Sequence, residues 1–457
     1  MDSLIENNGE LCRLSRGSTA ASLTHLHRWS STENNSNNAY NLNFSSGSSN
    51  NNNKNNSNKV RAVRDFWQTD LFHQPIPLSD FYSAYESCRK KKRRTANAVA
   101  FEVDYEHNLQ MLYEEVNSAR YVPRRSITFI IPRPVKREVF AADFRDRVIH
   151  HLLIDKLNPF FEKNFIYDCY ACRVGKGTQF AVKRVDRFIR SCSNNYSSDC
   201  YVLKLDISGF FMHINRKLLW ERLEVFIDEN YTGLDIEAIK YLTKTTVLLD
   251  PSRNCIIKGR RSDWNGLPGS KSLFHSPPDC GLPIGNLTSQ VFANFYMTPF
   301  DHYMKHTLGL RYYGRYVDDF IVVHPDKTFL LSLLPKISAF LSDELGLTLH
   351  PKKIYIQHYS KGVKFLGCVI KPHRKYIADR TKGNFYQCVE KYNALAKEKG
   401  CDRRLLMRKF RSSINSYLGL FQHYSTYKIR KKEIYRHLSP WWRNRINPKR
   451  WCRKVII

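Results

Sequence analysis

Three aspartates offer the clearest chemistry in this sequence. Asp206 ends the strand-like stretch within LKLDISGFF, and Asp318 and Asp319 stand side by side in YVDDF. A charged carboxylate at the end of an apolar strand is costly unless a cation neutralises it. Magnesium prefers carboxylate oxygen, and two such ions about 3.5 to 4 Å apart can activate a 3′-oxygen and neutralise a departing pyrophosphate. Alone, a strand-end Asp is more often a turn former or a cap. One acid followed by an adjacent pair, with a helix-containing segment between, points instead to nucleotidyl transfer with two Mg2+ ions, Mn2+ being the substitute.

These acids need elements to hold them. Residues 201–207 form a short apolar run, interrupted by Lys204 and closed by Ser-Gly, the profile of a buried strand ending at a functional edge. Residues 310–316 and 320–323 read as strands bracketing Val317-Asp318-Asp319, a hairpin with two acids at its tip. Upstream, 126–140 reads as a strand pair punctuated by prolines and 145–157 as a helix. Residues 288–308 and 329–345 have helical spacing. Residues 250–280, rich in Pro, Gly, Ser and basic residues, read as a long loop or insertion with no legible role.

The charge balance points to a polyanionic partner. Lys and Arg number 73 against 42 Asp and Glu, a formal +31 over 457 residues, and such a field gathers nucleic acid. Residues 371–457 hold 24 Lys and Arg against 5 Asp and Glu. They read as basic-faced helices interleaved with rings such as Phe410, Tyr417, Tyr427 and Trp442, which either stack on nucleic acid or fill a core. Twelve cysteines follow no repeating interval, and the Cys169-x-x-Cys172 pair has no second pair at zinc-site spacing. A reduced, cytoplasmic compartment fits, and neither a membrane span nor a secretory signal is legible. Between residues 34 and 58, 13 of 25 are Asn, which predicts disorder for residues 1–64.

With these residues laid out, the chain resembles the reverse transcriptases. YVDD (316–319) and LDISGFF (205–211) are similar to motifs C and A of that family. KREVFAADFRDRVIHHLL (136–153) resembles its first fingers block and YACRVGKGT (170–178) its second. GLTLHPKKIYI (346–356) resembles motif D, and GVKFLGCVI (362–370) the hydrophobic turn of motif E. The resemblance implies an α/β (α+β) right-hand polymerase with an antiparallel palm sheet: fingers at 65–200, palm at 201–370 and a helical, basic thumb at 371–457.

The resemblance also implies roles. The Ile207 carbonyl completes the metal shell of Asp206, Asp318 and Asp319. Lys136 and Arg137 grip the incoming triphosphate, a task suited to a guanidinium fork, and Arg173 and Lys176 assist at the nucleic acid. Phe211 excludes a ribose 2′-hydroxyl. Lys353 matches the motif D lysine that protonates leaving pyrophosphate; the plain alternative is a phosphate-neutralising or solvated surface lysine.

Motif B narrows the class. Here GLPIGNLTSQ (281–290) carries Ile284 where most bacterial relatives have Gln, followed by Gly285, with Gln290 where they have Pro. That form resembles the enzymes of diversity-generating retroelements, which copy a template RNA with errors at adenines. A Gln near the nucleotide offers hydrogen bonds; Ile offers shape alone, either loosening geometric checking or merely filling space. The Asn-rich segment 28–64 resembles the end of a C-type-lectin-like variable protein, and so reads as a template repeat translated in frame, the alternative being an Asn/Ser linker. Implied partners are template RNA, cDNA, deoxynucleotides and a small basic oligomeric accessory protein. A group II intron-like or phage-defence reverse transcriptase is the rival reading.

Overall fold

The computed structural model describes residues 27–33, 38–43, 49–53, 72, 74–90, 95–132, 135–398, 400, 402–448 and 452–456. Its first elements, β1 (His27–Glu33), β2 (Asn38–Asn43) and β3 (Ser49–Asn53), pair as an antiparallel meander. They fall where composition predicts disorder. A ladder satisfies main-chain groups, a demand that side-chain composition does not register. The rest of 1–64, and the expectation made for it, lies outside the described residues.

Helices α1 (Leu78–Arg89), α2 (Ala96–Glu102) and α3 (Tyr105–Asn117) begin the main body. On α1 the buried residues Phe81, Ala84, Tyr85 and Cys88 recur at the spacing of one helix face. Strands β4 (Ser126–Ile131) and β5 (Arg137–Ala141) pair antiparallel. They lead into α4 (Phe144–Asn164), whose first turn is capped by Asp143 accepting from the Arg145 N–H. Buried side chains surround most of α4, as expected of a helix enclosed between α1 and later helices. Helix α5 (Thr178–Cys192) follows.

The central part comprises β6 (Tyr201–Leu205), α6 (Phe210–His213), α7 (Arg216–Asn230), α8 (Ile236–Leu248), β7 (Cys255–Ile257), α9 (Leu287–Tyr296), α10 (Thr298–His302), β8 (Tyr313–Tyr316), β9 (Asp319–His324), α11 (Lys327–Leu345) and β10 (Tyr355–His358). Four of these strands form an antiparallel sheet in the order β10-β6-β9-β8. Phe320, Ile321, Val322 and Val323 of β9 are all buried, which explains its unbroken apolar run. Strand β7 lies elsewhere: it joins the β4–β5 sheet, parallel to β4. Thus part of the 250–280 segment belongs to the upstream sheet.

A second meander, β11 (Val363–Phe365), β12 (Cys368–Lys371) and β13 (Arg374–Ile377), precedes helices α12 (Asp379–Leu395), α13 (Arg403–Phe421), α14 (Tyr427–Lys432) and α15 (Pro440–Arg443). The boundary expected at 370/371 falls inside β12. On α13, Leu406, Phe410, Ile414 and Leu418 are buried while Arg404, Arg408 and Arg411 are exposed. Phe410 stacks on Trp442 at 3.9 Å between centroids, so these rings are core, whereas Tyr427 and Tyr435 are exposed. The whole is an α+β right-hand polymerase fold: helical fingers, an antiparallel palm and a helical thumb.

Candidate active site

The palm sheet brings the acids to one edge. The register pairs Leu205 with Phe320, so Asp206, one residue on, arrives level with Asp319, one residue back. Strands β8 and β9 pair through Tyr316 and Asp319, leaving Val317 and Asp318 as a two-residue turn. Val317 has φ +58°, a left-handed value uncommon for a β-branched residue. The segment after α11 braces Asp206 from the other side: Asp206 O accepts from His350 N–H at 2.8 Å, and Thr348 O accepts from Ser208 N–H at 2.9 Å. This bridge uses groups on either side of Ile207 and not the Ile207 carbonyl.

Two lysines lie on the acids. Lys353 Nζ is 2.9 Å from both oxygens of Asp206. Lys204 Nζ stands 3.0 Å from Asp319 Oδ1, an ion pair without hydrogen-bond geometry, so that oxygen is buried with no hydrogen-bond donor. Burial, then the charges of Asp319 and Asp206, push the Asp318 carboxyl up to about 6. Among the described residues no three His, Cys, Asp or Glu side chains gather around one ion-sized point. The donor set still fits a hard dication. Its oxygens are carboxylate, one has no hydrogen-bond donor, and burial together with repulsion from Asp319 and Asp206 raises Asp318, a load that positive charge relieves.

A second group of residues meets beside β5. Ile284 O accepts from Phe140 N–H at 2.9 Å, and Phe211 O accepts from Leu282 N–H at 2.8 Å. The side chains of Phe211 and Ile284 both pack against the small apolar cluster formed by Phe140, Met212 and Leu273. Gly285, at φ +131°, approaches β5 so closely that a Cβ would lie 2.8 Å from Val139 Cγ1 and 3.0 Å from Phe140 O. Arg137 is exposed at the start of β5, and Lys136 Nζ donates to Asn265 O at 2.5 Å. Gln290 is exposed, its Oε1 accepting from the Cys172 thiol at 3.0 Å. Behind this loop a cavity of about 20 Å³, lined by Asp146, His150 and Asn286 among others, has room for one water.

Arg173 and Lys176 both make contacts within the loop that carries them. Arg173 points inward: its guanidinium holds Glu162 at 2.7 Å and the carbonyls of Ile166 and Cys169 at 2.6 and 3.1 Å. With these donors engaged, it braces the loop from Ile166 to Cys169. Lys176 Nζ donates to Tyr167 O at 2.5 Å and lies over that ring, and burial lowers its pKa.

Sequence reasoning missed Glu138. It is buried, and accepts from Trp264 Nε1 (2.6 Å), Ser272 Oγ (2.7 Å) and the Leu273 N–H (2.6 Å), clamping the 261–273 segment onto β5. An acid set between Arg137 and the apolar Val139-Phe140 pair was the available signal. Lys204 was visible as an interruption, but nothing local assigned it to Asp319.

Residues 136–370, just over half of the chain, match the family model described as reverse transcriptase (RNA-dependent DNA polymerase). The chain belongs to this family. Both acid-bearing segments, β5 and the Ile284 loop all fall inside the reverse transcriptase domain. The chain is also similar to Protein YkfC of Escherichia coli, at 22% identity over 57% of this chain and 70% of that protein. Solved structures similar to it include telomerase from Candida albicans in complex with a fragment of telomeric RNA, at 13% identity, 69% coverage of this chain and TM-score 0.38. Apo telomerase from Candida tropicalis is similar at 13% identity, 68% coverage and TM-score 0.41. The chain spans 59% and 58% of the length of those two telomerase chains.

Proposed function

We propose that this chain copies RNA into DNA, using Asp206, Asp318, Asp319 and the Ile207 carbonyl to hold two Mg2+ ions, for which Mn2+ substitutes. The observation that carries the reading is the meeting of Asp206 with the Asp318–Asp319 turn across the β6–β9 ladder. When bound, the ions supply activation of the primer 3′-oxygen and neutralisation of pyrophosphate. Lys353, which lies against Asp206, would serve the leaving group as a proton donor or a neutralising charge. Arg137, exposed on β5, grips the triphosphate, with Lys136 beside it. Phe211 turns away a 2′-hydroxyl. Fingers at 65–200, palm at 201–370 and thumb at 371–457 remain the proposed division of labour.

We further propose the diversity-generating type. Ile284 supports it, since its side chain shares an apolar cluster with Phe211 and brings no hydrogen-bonding group to the nucleotide side. Template RNA, cDNA, deoxynucleotides and a small basic oligomeric accessory protein are the proposed partners. Residues 28–64 are the proposed translated template repeat.

The test is primer extension on a mixed-sequence RNA template with product sequencing. Extension that requires divalent metal and is abolished in Asp318→Asn supports the polymerase. Misincorporation concentrated opposite template adenines, and reduced in Ile284→Gln, supports the subgroup. Uniform errors in the parent chain would reject the subgroup and leave the polymerase standing.

A further inference from the structure

Arg315 has no exposed surface and lies one residue before the hairpin residue Tyr316. A buried guanidinium is costly unless every donor is matched, and here each arm has a partner. Nε and Nη2 clasp Asp301 at 2.8 and 2.6 Å, and Asp301 also accepts from the Tyr313 hydroxyl at 2.6 Å. Nη2 further faces Asn294 O at 3.3 Å and Cys169 Sγ at 3.5 Å. Nη1 reaches Asn294 Oδ1 at 3.3 Å and the Val317 carbonyl at 2.9 Å. That last acceptor belongs to the residue at φ +58° beside Asp318. Such a conformation persists only where surrounding structure over-determines it.

The same cluster joins three parts of the chain. Asn294 lies on α9, the helix following the Ile284 loop, and its Nδ2 donates to Ala171 O at 2.7 Å. The Arg315 main chain donates to Asp168 O at 2.9 Å and accepts from Tyr170 N–H at 3.0 Å. Asp301 lies on α10.

We propose that Arg315, Asp301 and Asn294 are a positioning unit that imposes the turn on Val317 and so sets where the Asp318 carboxylate stands, in register with α9 and the fingers loop. The inference rests on reading Asp318 as a metal-holding acid of the polymerase. An ion pair serving stability alone has no need of an arm on the strained peptide.

Arg315→Lys tests it. A lysine keeps a cation against Asp301, but one ammonium lacks the planar fork needed to span Asp301 and the Val317 carbonyl together. Single-nucleotide extension is measured alongside Mn2+ binding to the protein without substrate, read by electron paramagnetic resonance. The expected result is a kcat reduced by about tenfold or more with KM for the nucleotide within about twofold, because misplacement of an acid by a fraction of an ångström acts on the chemical step. Mn2+ binding is expected to weaken several-fold. Adding Val317→Gly, which adopts positive φ freely, should recover part of kcat without restoring the fork.

Thermal destabilisation with kcat and Mn2+ binding unchanged would reduce Arg315 to a structural residue and overturn the proposal, as would a double variant no faster than Arg315→Lys. If Arg315→Lys does not fold, Asn294→Ala decides, since it leaves the Arg315–Asp301 pair intact. A kcat lowered about threefold or more at constant KM supports positioning, and an unchanged kcat overturns it. A parent chain that extends no primer sinks the polymerase reading instead, and the Mn2+ comparison then still decides the positioning role.

Discussion

Replacing Asp318 by Asn separates the electrostatics of the acid edge from its chemistry. The unfolded chain ionises this carboxyl near 3.8, whereas burial and the two neighbouring acids delay ionisation in the folded chain to about 6. Between those values the native state holds the extra proton. Stability therefore falls as pH rises through the window, and the loss is complete above it. A shift of roughly two units corresponds to about 3 kcal/mol, which the ionised edge subtracts from the metal-free protein at neutral pH. Asn keeps the shape and removes the charge. With divalent ions chelated, Asp318→Asn should be more stable than the parent at pH 8 by about 1 to 3 kcal/mol, and the gap should close by about pH 4. Urea denaturation at both pH values reads it, while primer extension should vanish throughout. Asp146, also pushed up to about 6 by burial, tilts both chains alike, so the difference between them carries the test. A variant no more stable than the parent at pH 8 in chelator would refute the electrostatic account.

Glu138→Gln replaces one acceptor oxygen by a donor opposite three hydrogen-bond donors. It should cost about 1.5 to 3 kcal/mol, and hydrogen exchange across residues 261–273 should accelerate. Lys353→Leu should slow single-nucleotide incorporation by about a hundredfold if the ammonium delivers a proton; a change below threefold would leave it a surface charge. Arg173→Ala should lower the melting temperature and spare RNA affinity measured by filter binding, since its guanidinium is spent on Glu162 and two carbonyls.

What was legible in the sequence was what depends on local pattern. The β6 strand, the acid hairpin and the α4 helix announce themselves by apolar runs, turn length and periodicity, and each lies close to where spacing predicts. Contacts between distant segments were not legible. Nothing near Arg173 reveals that Glu162 waits for it, and nothing in the 250–280 segment shows that Cys255–Ile257 pairs with β4 more than 120 residues upstream. The thumb rings were ambiguous for the same reason. Periodicity puts Phe410 on a helix face, but only the packed chain stacks Trp442 against it.

The parallel pairing of β7 with β4 has a practical outcome for anyone recombining such enzymes. A chimera cut at residue 200 would transplant β4 and β5 without β7, so the β4 edge would meet a foreign strand and Glu138 a foreign set of donors. Exchange of substrate preference between homologues should therefore succeed only when residues 126–141 and 255–273 travel together as one cassette, however far apart they lie in the gene.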